Sequence, residues 1–349
     1  VNQHPYTAIL IVPTGIGAAI GGYAGDALPV ARVIAQVCDR LITHPNVLNG
    51  ASLYWNIPNS FYVEGYGLDK FAAGYWGLRP VRSNKVGLLL DKGIEPELRL
   101  RHLQAADAAQ ATLGLTITKY VTTDALLDVE LRMSTSGASW GTIGNPDSLL
   151  RAAEILIEKE GAEAIAVVAR FPDDIDEAAV QNYRLGKGVD PLAGAEAVIS
   201  HLIVRNFQIP CAHAPALSPA PPDPNLSPRS AAEELGYTFL PSVLVGLSRA
   251  PKFLIEKQLF TSLQEDIWVD QVDAVIVPAS ACGSSALLSL SQKQCLIITV
   301  EENKTQLQVT APALGIKSMQ VDSYLEAIGV LVAHKAGINP SALSPKLLS

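Results

Sequence analysis

The sequence predicts an α/β protein, with a mostly parallel or mixed sheet, helices on both faces and Gly-rich strand-to-helix loops. Three observations carry that reading. Continuous apolar runs of strand length recur along the 349 residues, at 7–12, 86–90, 164–169, 274–277 and 296–300. Helical patterns separate them, as a strand–helix–strand organisation requires. Glycine or small residues follow the first run and the run at 274–277.

The elements are justified in order. Residues 7–12 (TAILIV) show no polar alternation, as in a strand buried on both faces. Asp26 is placed to N-cap a helix with Pro29 in its first turn, running through Val33, Val37 and Leu41. Residues 86–90 form a second buried strand, and 97–113 a helix that Gly114 ends. Leu127, Val129 and Leu131 alternate with Asp128, Glu130 and Arg132, which predicts a half-exposed, antiparallel strand. A Gly/Ser loop over 134–144 follows. Asn145-Pro146-Asp147-Ser148 opens a helix to Lys159 that Gly161 ends, and 164–169 is again a strand. Residues 196–204 read as helix, 274–277 and 296–300 as strands, and 323–335 as a closing helix ended by Gly337. Three stretches result: an α/β domain over 1–210, a Pro-rich loop or linker over 211–230, and an α/β segment over 231–349 able to complete the same sheet.

Composition excludes several classes. With 48% hydrophobic and 17% charged residues, the chain is globular rather than disordered. A net charge of −8 with no Lys/Arg run speaks against a nucleic-acid or anionic-membrane surface. Residues 5–25 carry no charge, but Pro13 and five glycines break them up, and residues 1–6 lack a basic leader. A buried strand with its loop is expected there, not a membrane span. Cys38, Cys211, Cys282 and Cys295 are scattered without a CxxC pair, which fits reduced thiols in a cytoplasm-like compartment. No cofactor is named by the sequence, and His201, Cys211 and His213 are too loosely spaced to specify a metal site.

Three loops are able to carry chemistry. After the first strand, Gly15, Gly17 and Gly21 approach a dinucleotide fingerprint, but Gly21, Gly22, Gly25 and Pro29 prevent a helix from starting inside it. The expected reading is a long loop, Thr14 to Gly22, whose amides cradle an anion. After the strand at 274–277, Cys282, Gly283, Ser284 and Ser285 enter a helix, so the thiol is a candidate nucleophile or base at a helix N-terminus. After the strand at 296–300, Glu301 and Glu302 are candidate general bases, with Asn303 and Lys304 as ligand contacts. His44 is a further proton carrier to consider. Arg79, Arg82, Arg99 and Arg101 fit exposed charged faces better than anion clamps. Residues 54–76 hold eight aromatics, which suit a local core, a ligand wall or a homo-oligomer interface.

The blocks VPTGIGAAIGGYAGDALPVAR (12–32), THPNVLNGA (43–51), GVDPLAGAEAVISHLIV (188–204), PCAHAPA (210–216), VPASACGSSALL (277–288) and VEENKT (300–305) resemble a family of uncharacterised proteins of cyanobacteria and plant plastids. The resemblance implies a soluble protein of the cyanobacterial cytoplasm or plastid stroma and assigns no catalytic role. The leading expectation is an enzyme (isomerase, lyase or transferase) acting on a small anionic metabolite at the cleft of the Gly-rich loops. The alternatives are a non-catalytic ligand sensor or assembly protein, and an NAD(P)-dependent oxidoreductase.

Overall fold

The computed structural model describes residues 4–23, 25–44, 48, 55–173, 177–218, 221–234, 240–255 and 265–343. Among them are fourteen strands and ten α-helices. The first third holds β1 (Thr7–Leu10), α1 (Leu28–Val37), β2 (Arg40–Thr43), β3 (Ser60–Tyr62), α2 (Gly65–Ala72), β4 (Gly77–Arg79), β5 (Val86–Leu90) and α3 (Pro96–Leu113). The middle holds β6 (Ile117–Thr122), β7 (Val129–Met133), β8 (Ser139–Ile143), α4 (Pro146–Glu158), β9 (Ala164–Arg170), α5 (Glu177–Arg184), α6 (Ala193–Phe207) and β10 (Cys211–Ala216). The last part holds α7 (Pro228–Glu234), α8 (Leu240–Ser248), β11 (Lys252–Leu254), β12 (Val272–Pro278), α9 (Ser285–Leu290), β13 (Leu296–Val300), β14 (Met319–Val321) and α10 (Tyr324–Lys335).

Two parallel sheets organise these elements. The larger has the order β14-β13-β12-β1-β2-β3, so the N- and C-terminal parts of the chain share it. Ranked by chain position, this is the 3-2-1-4-5-6 order of a doubly wound sheet, with residues 63–271 inserted between its third and fourth strands. The smaller sheet, β10-β9-β5-β6, lies within that insertion. Two antiparallel pairs, β4–β11 and β7–β8, complete the set. Both parallel sheets are covered on their two faces, so β1 and β5 are buried at every residue and read as continuous apolar runs.

The two sheets meet edge to edge. The Tyr62 hydroxyl on β3 donates to the Cys211 carbonyl on β10 at 3.1 Å. One apolar cluster contains Ala8, Leu10 and Val12 from the large sheet and Leu88, Ala166 and Ala214 from the small one. The β7–β8 hairpin then lies on the start of α6 at backbone distance. A Cβ at Gly194 would stand 2.2 Å from the Trp140 Cα, and one at Gly141 would stand 2.5 Å from the Ala195 Cβ. Only glycine permits that approach.

Several local readings are corrected. The first helix ends at Val37, and Leu41 belongs to β2, because the short run Arg40–Thr43 pairs with β1. Asp26 does not cap α1, whose Ala27 N-cap makes no side-chain bond. The Asp26 carboxylate instead accepts from the Gly21 amide at 2.6 Å and pairs with Arg229. Half of the expected Gly/Ser loop is β8. The proline-rich stretch begins later than its composition suggests, since Cys211–Ala216 is a strand at the edge of its sheet, where Pro215 needs no N–H for a further neighbour. In that stretch Pro219 lies outside the described residues, as do Pro45, Asn46 and Tyr54.

His44 follows β2 and is buried. Its Nε2 accepts the Val12 amide at 2.9 Å, so the proton sits on Nδ1. Burial pushes its pKa down to about 4. Between pH 6.5 and 4 the unfolded chain therefore binds a proton that the folded chain refuses. Stability due to this group is lost as pH falls through that window, by about 3 kcal/mol in all. Chemical denaturation from pH 7 to 4 is expected to show that slope, and His44→Gln, whose amide oxygen can still accept, is expected to flatten it.

Candidate functional site

A parallel sheet places the carboxyl ends of all its strands on one edge. The three candidate loops therefore stand together beyond β1, β12 and β13. The segment after β13 ties them to one another. The Ala19 amide donates to the Lys304 carbonyl at 2.7 Å, the Ile20 amide to Asn303 Oδ1 at 2.9 Å, and the Gln306 amide to the Ile16 carbonyl at 2.9 Å. On the other side Cys282 donates its amide to the Val309 carbonyl at 2.8 Å, and Ser280 meets Thr305 through their hydroxyls, also at 2.8 Å.

Most residues proposed from sequence for proton transfer turn out to hold this edge together. Cys282 is fully buried, and burial raises its thiol pKa rather than lowering it. Ser284, not Cys282, caps α9, by accepting from the Leu287 amide, and Ser285 is exposed in the first turn. Gly283 is exposed and lies against Val309. Glu302 accepts from the Tyr324 amide at 2.7 Å at the start of α10. Glu301 pairs with Lys304 at 3.2 Å. Asn303 is buried and bonded on both sides, to Ile20 and to the Tyr324 hydroxyl. His44 is the Val12 acceptor already described. In the Gly-rich loop, Gly21 is bound to Asp26, and a Cβ at Gly22 would strike the Ala18 carbonyl oxygen at 2.3 Å.

The first half of that loop faces elsewhere. Gly15 and Gly17 have φ of +67° and +62°, while Thr14, Ile16 and Ala18 do not share the left-handed region. Such alternation turns successive amides to one side, the geometry of an anion cradle. The N–H groups of Gly15, Gly17 and Ala18 have no acceptor among the described residues. Thr14 is exposed beside them. A Cβ at Gly15 would meet Ser139 Oγ at 2.5 Å and the Ala193 Cβ at 3.6 Å, and one at Gly17 would meet Val189 and the Gly188 carbonyl. Ser139 Oγ is itself buried without a hydrogen-bond partner among the described residues.

Gly15 and Gly17 therefore pack against residues 188–193, which lead into α6, and there stands a cluster that sequence reasoning did not find. The Asp190 carboxylate accepts from the Leu192 amide at 2.8 Å. Burial, then the neighbouring Glu196, push its pKa up to about 7. Glu196, in the first turn of α6, lies 3.5 Å from His213 Nε2 on β10. His213 Nδ1 is 2.7 Å from Ser200 Oγ, one helical turn beyond Glu196. Among the described residues no lysine or arginine pairs with Asp190 or Glu196. A histidine paired with one carboxylate, beside a second carboxylate raised toward neutrality, is equipment for moving a proton near pH 7. The signal that could have found it was the i, i+4 pair Glu196 and Ser200 together with Cys211 and His213 alternating against Ala212 and Ala214.

The remaining candidates are structural. His201 pairs with the buried Glu64 at 3.6 Å and His213 with Glu196 at 3.5 Å, and among the described residues no three His, Cys, Asp or Glu side chains converge closely enough to hold a metal ion. Arg79 pairs with the buried Asp266, and Arg101 with Glu97. Within the aromatic segment Tyr62, Phe71 and Trp76 are buried, and Trp76 packs on Tyr66 and Phe253, leaving Trp55 and Tyr75 exposed. No helix among the described residues is long and apolar enough to cross a membrane.

A Synechococcus protein named an uncharacterized lipoprotein is 61% identical over 339 residues, which is 97% of this chain and 93% of that protein. No solved structure matches the chain. The family model for proteins of unknown function, DUF3326, spans residues 7–344, and the chain belongs to that family.

Proposed function

We propose that the protein is an enzyme that transfers a proton on a small anionic metabolite, in the cleft between the Gly15–Ala18 turn and the start of α6. One observation carries the reading: Asp190, Glu196 and His213 form a half-buried proton-handling cluster beside residues 188–193, against which Gly15 and Gly17 pack. In this reading the metabolite's phosphate or carboxylate sits on the amides of Gly15, Gly17 and Ala18, with the Thr14 hydroxyl at the rim. Backbone amides suit an anion here because they add no cation that would neutralise the acids. Glu196 is the base and Asp190 the acid, since burial first and Glu196 second push Asp190 toward neutrality. Isomerisation and elimination are the chemistries this pair serves.

A second reading, a nicotinamide-dependent oxidoreductase, is favoured by the 3-2-1-4-5-6 strand order. Two features weigh against it. No helix begins inside the glycine motif, since α1 starts only at Leu28. β2 ends at Thr43 and is followed by His44, where an acid would bind the ribose. Location belongs to the proposal as well. Four free cysteines support the cytoplasm, whereas the Synechococcus relative's name points to a lipid anchor.

Each part is testable. A thermal-shift panel of small phosphorylated and carboxylic metabolites is expected to yield a stabilising ligand. Wild-type enzyme should exchange or rearrange that ligand's protons in D2O, followed by NMR. Glu196→Gln should lower the rate about 100-fold or more while leaving the thermal shift intact. Binding without any exchange in the wild type would move the protein to the sensor reading. Asp190→Asn has a separate signature. The raised pKa of Asp190 means its stability contribution is lost as pH rises from about 4 to about 7, so the variant should melt higher than wild type above pH 7 and not at pH 4. NADPH at saturating concentration should leave the protein's fluorescence unchanged, and quenching would favour the oxidoreductase. Fractionation of a tagged cell lysate should recover the protein in the soluble fraction, and release only by detergent would refute that location.

A further inference from the structure

The chain of contacts from Ser200 through His213 to Glu196 has a direction. Exposure rises along it: Ser200 is 1% exposed, the His213 side chain 9% and the Glu196 side chain 16%. The inner end is sealed and the outer end is the one a ligand can meet. We propose that Ser200 is a positioning residue: it fixes the His213 tautomer that carries its proton on Nε2, and so aims an N–H at the Glu196 carboxylate. The proposal rests on the acid–base reading of this site and names the residue that sets its geometry.

A neutral imidazole has one N–H and one lone pair. Two arrangements are open to His213 between its two neighbours. If Nδ1 carries the proton, it donates to Ser200 Oγ at 2.7 Å, and the Nε2 lone pair then faces the Glu196 carboxylate at 3.5 Å. Two acceptors would be opposed in a site with little water, which is unfavourable. If Nε2 carries the proton, the Ser200 hydroxyl donates to Nδ1, Nε2–H points to Glu196, and each group meets its complement. Among the described residues the Ser200 hydroxyl is the partner of Nδ1. The Cys211 thiol, near by on the same strand, meets that same hydroxyl and lies 3.7 Å from the Ala212 carbonyl, where it can donate and leave the Ser200 proton to His213. The result is a buried hydroxyl that holds a ring, and a ring that holds a carboxylate. Glu196 is thereby oriented to take a proton from the ligand onto its own oxygen. The same order of parts appears wherever a second residue fixes which nitrogen of a histidine is protonated.

Long-range 15N–1H spectra of the uniformly labelled protein, at a pH where His213 is neutral, test this directly. The expected spectrum of the wild type shows the Nε2–H form of His213. In Ser200→Ala the ratio of Nε2–H to Nδ1–H should fall about fivefold, the weight of one net hydrogen bond, and Ser200→Thr should restore it. Circular dichroism of each variant reports whether the fold is kept. Should Ser200→Ala not fold, the wild-type spectrum alone decides. A wild-type ring protonated on Nδ1, or a ratio that Ser200→Ala leaves unchanged in a folded protein, would overturn the assignment. Turnover that survives Glu196→Gln would instead remove the acid–base reading and leave the tautomer result standing.

Discussion

The contact on which the rest of the site depends is the one between the loop after β1 and the start of α6. Three glycines make it possible. Gly141 and Gly194 let the β8 backbone lie on α6, and Gly15 leaves space that Ser139 fills. Any side chain at these positions would lift the hairpin or the helix by the width of a carbon atom or more. With them as glycine, the β1 loop, the β7–β8 hairpin and α6 converge, although they come from residues 15, 139 and 194. The insertion between β3 and β12 thereby becomes part of the large sheet's carboxyl edge. Tyr62 and Cys211 hold the two sheets together along the same seam, so the position of α6 is fixed from both sides.

Electrostatics within that seam point the same way. Asp190 and Glu196 stand close with no cation paired to either among the described residues, and burial raises the first toward neutral pH. An arrangement built for stability alone would match a buried acid with an arginine, as Arg79 matches Asp266 elsewhere in this chain. A second acid beside the Glu196–His213 pair instead lowers the stability of the folded state above pH 7, as the direction of the Asp190 shift requires. Unpaired amides at Gly15, Gly17 and Ala18 add a second local deficit. Both deficits lie within one contact of each other, and a ligand bearing an anionic group and a labile proton would relieve both.

Much of the fold was legible in the sequence for a simple reason. Strands buried on both faces read as unbroken apolar runs, and β1, β5, β9, β12 and β13 fell where those runs lie. Helix ends were marked by Gly114 and Gly161 in the left-handed region and by Ser323 capping α10. Short or edge strands were not legible. Arg40–Thr43 is too brief to outweigh the helical pattern before it, and Cys211–Ala216 is hidden by its prolines and alanines. The candidate site divides the same way. The carboxyl-edge loops were readable because strand–loop–helix order is local. Their roles were not, since whether Glu302 caps a helix or meets a ligand depends on where Tyr324 comes to rest. Asp190 and Glu196 were missed because each alone reads as a turn and a solvated helix face, and His213 was weighed only as a loosely spaced metal ligand with His201 and Cys211.

The strand order explains why the site lies off the expected position. In a 3-2-1-4-5-6 sheet the crevice opens between the first and fourth strands, here β1 and β12. In this chain the segment Asn303 to Val309 bonds to the loops on both sides of that crevice, through Ile20 and Ile16 on one and Ser280 and Cys282 on the other. Glu301, Glu302, Asn303 and Lys304 belong to the segment that closes it or to its approach. The unsatisfied amides therefore belong to the part of the β1 loop that this segment leaves alone, and they face the inserted sheet. A doubly wound sheet whose usual crevice is laced shut has one remaining way to use its first glycine loop, which is to turn it sideways onto a neighbouring element. The inserted β10, α6 and the turn before α6 supply that element, and with it Asp190, Glu196 and His213.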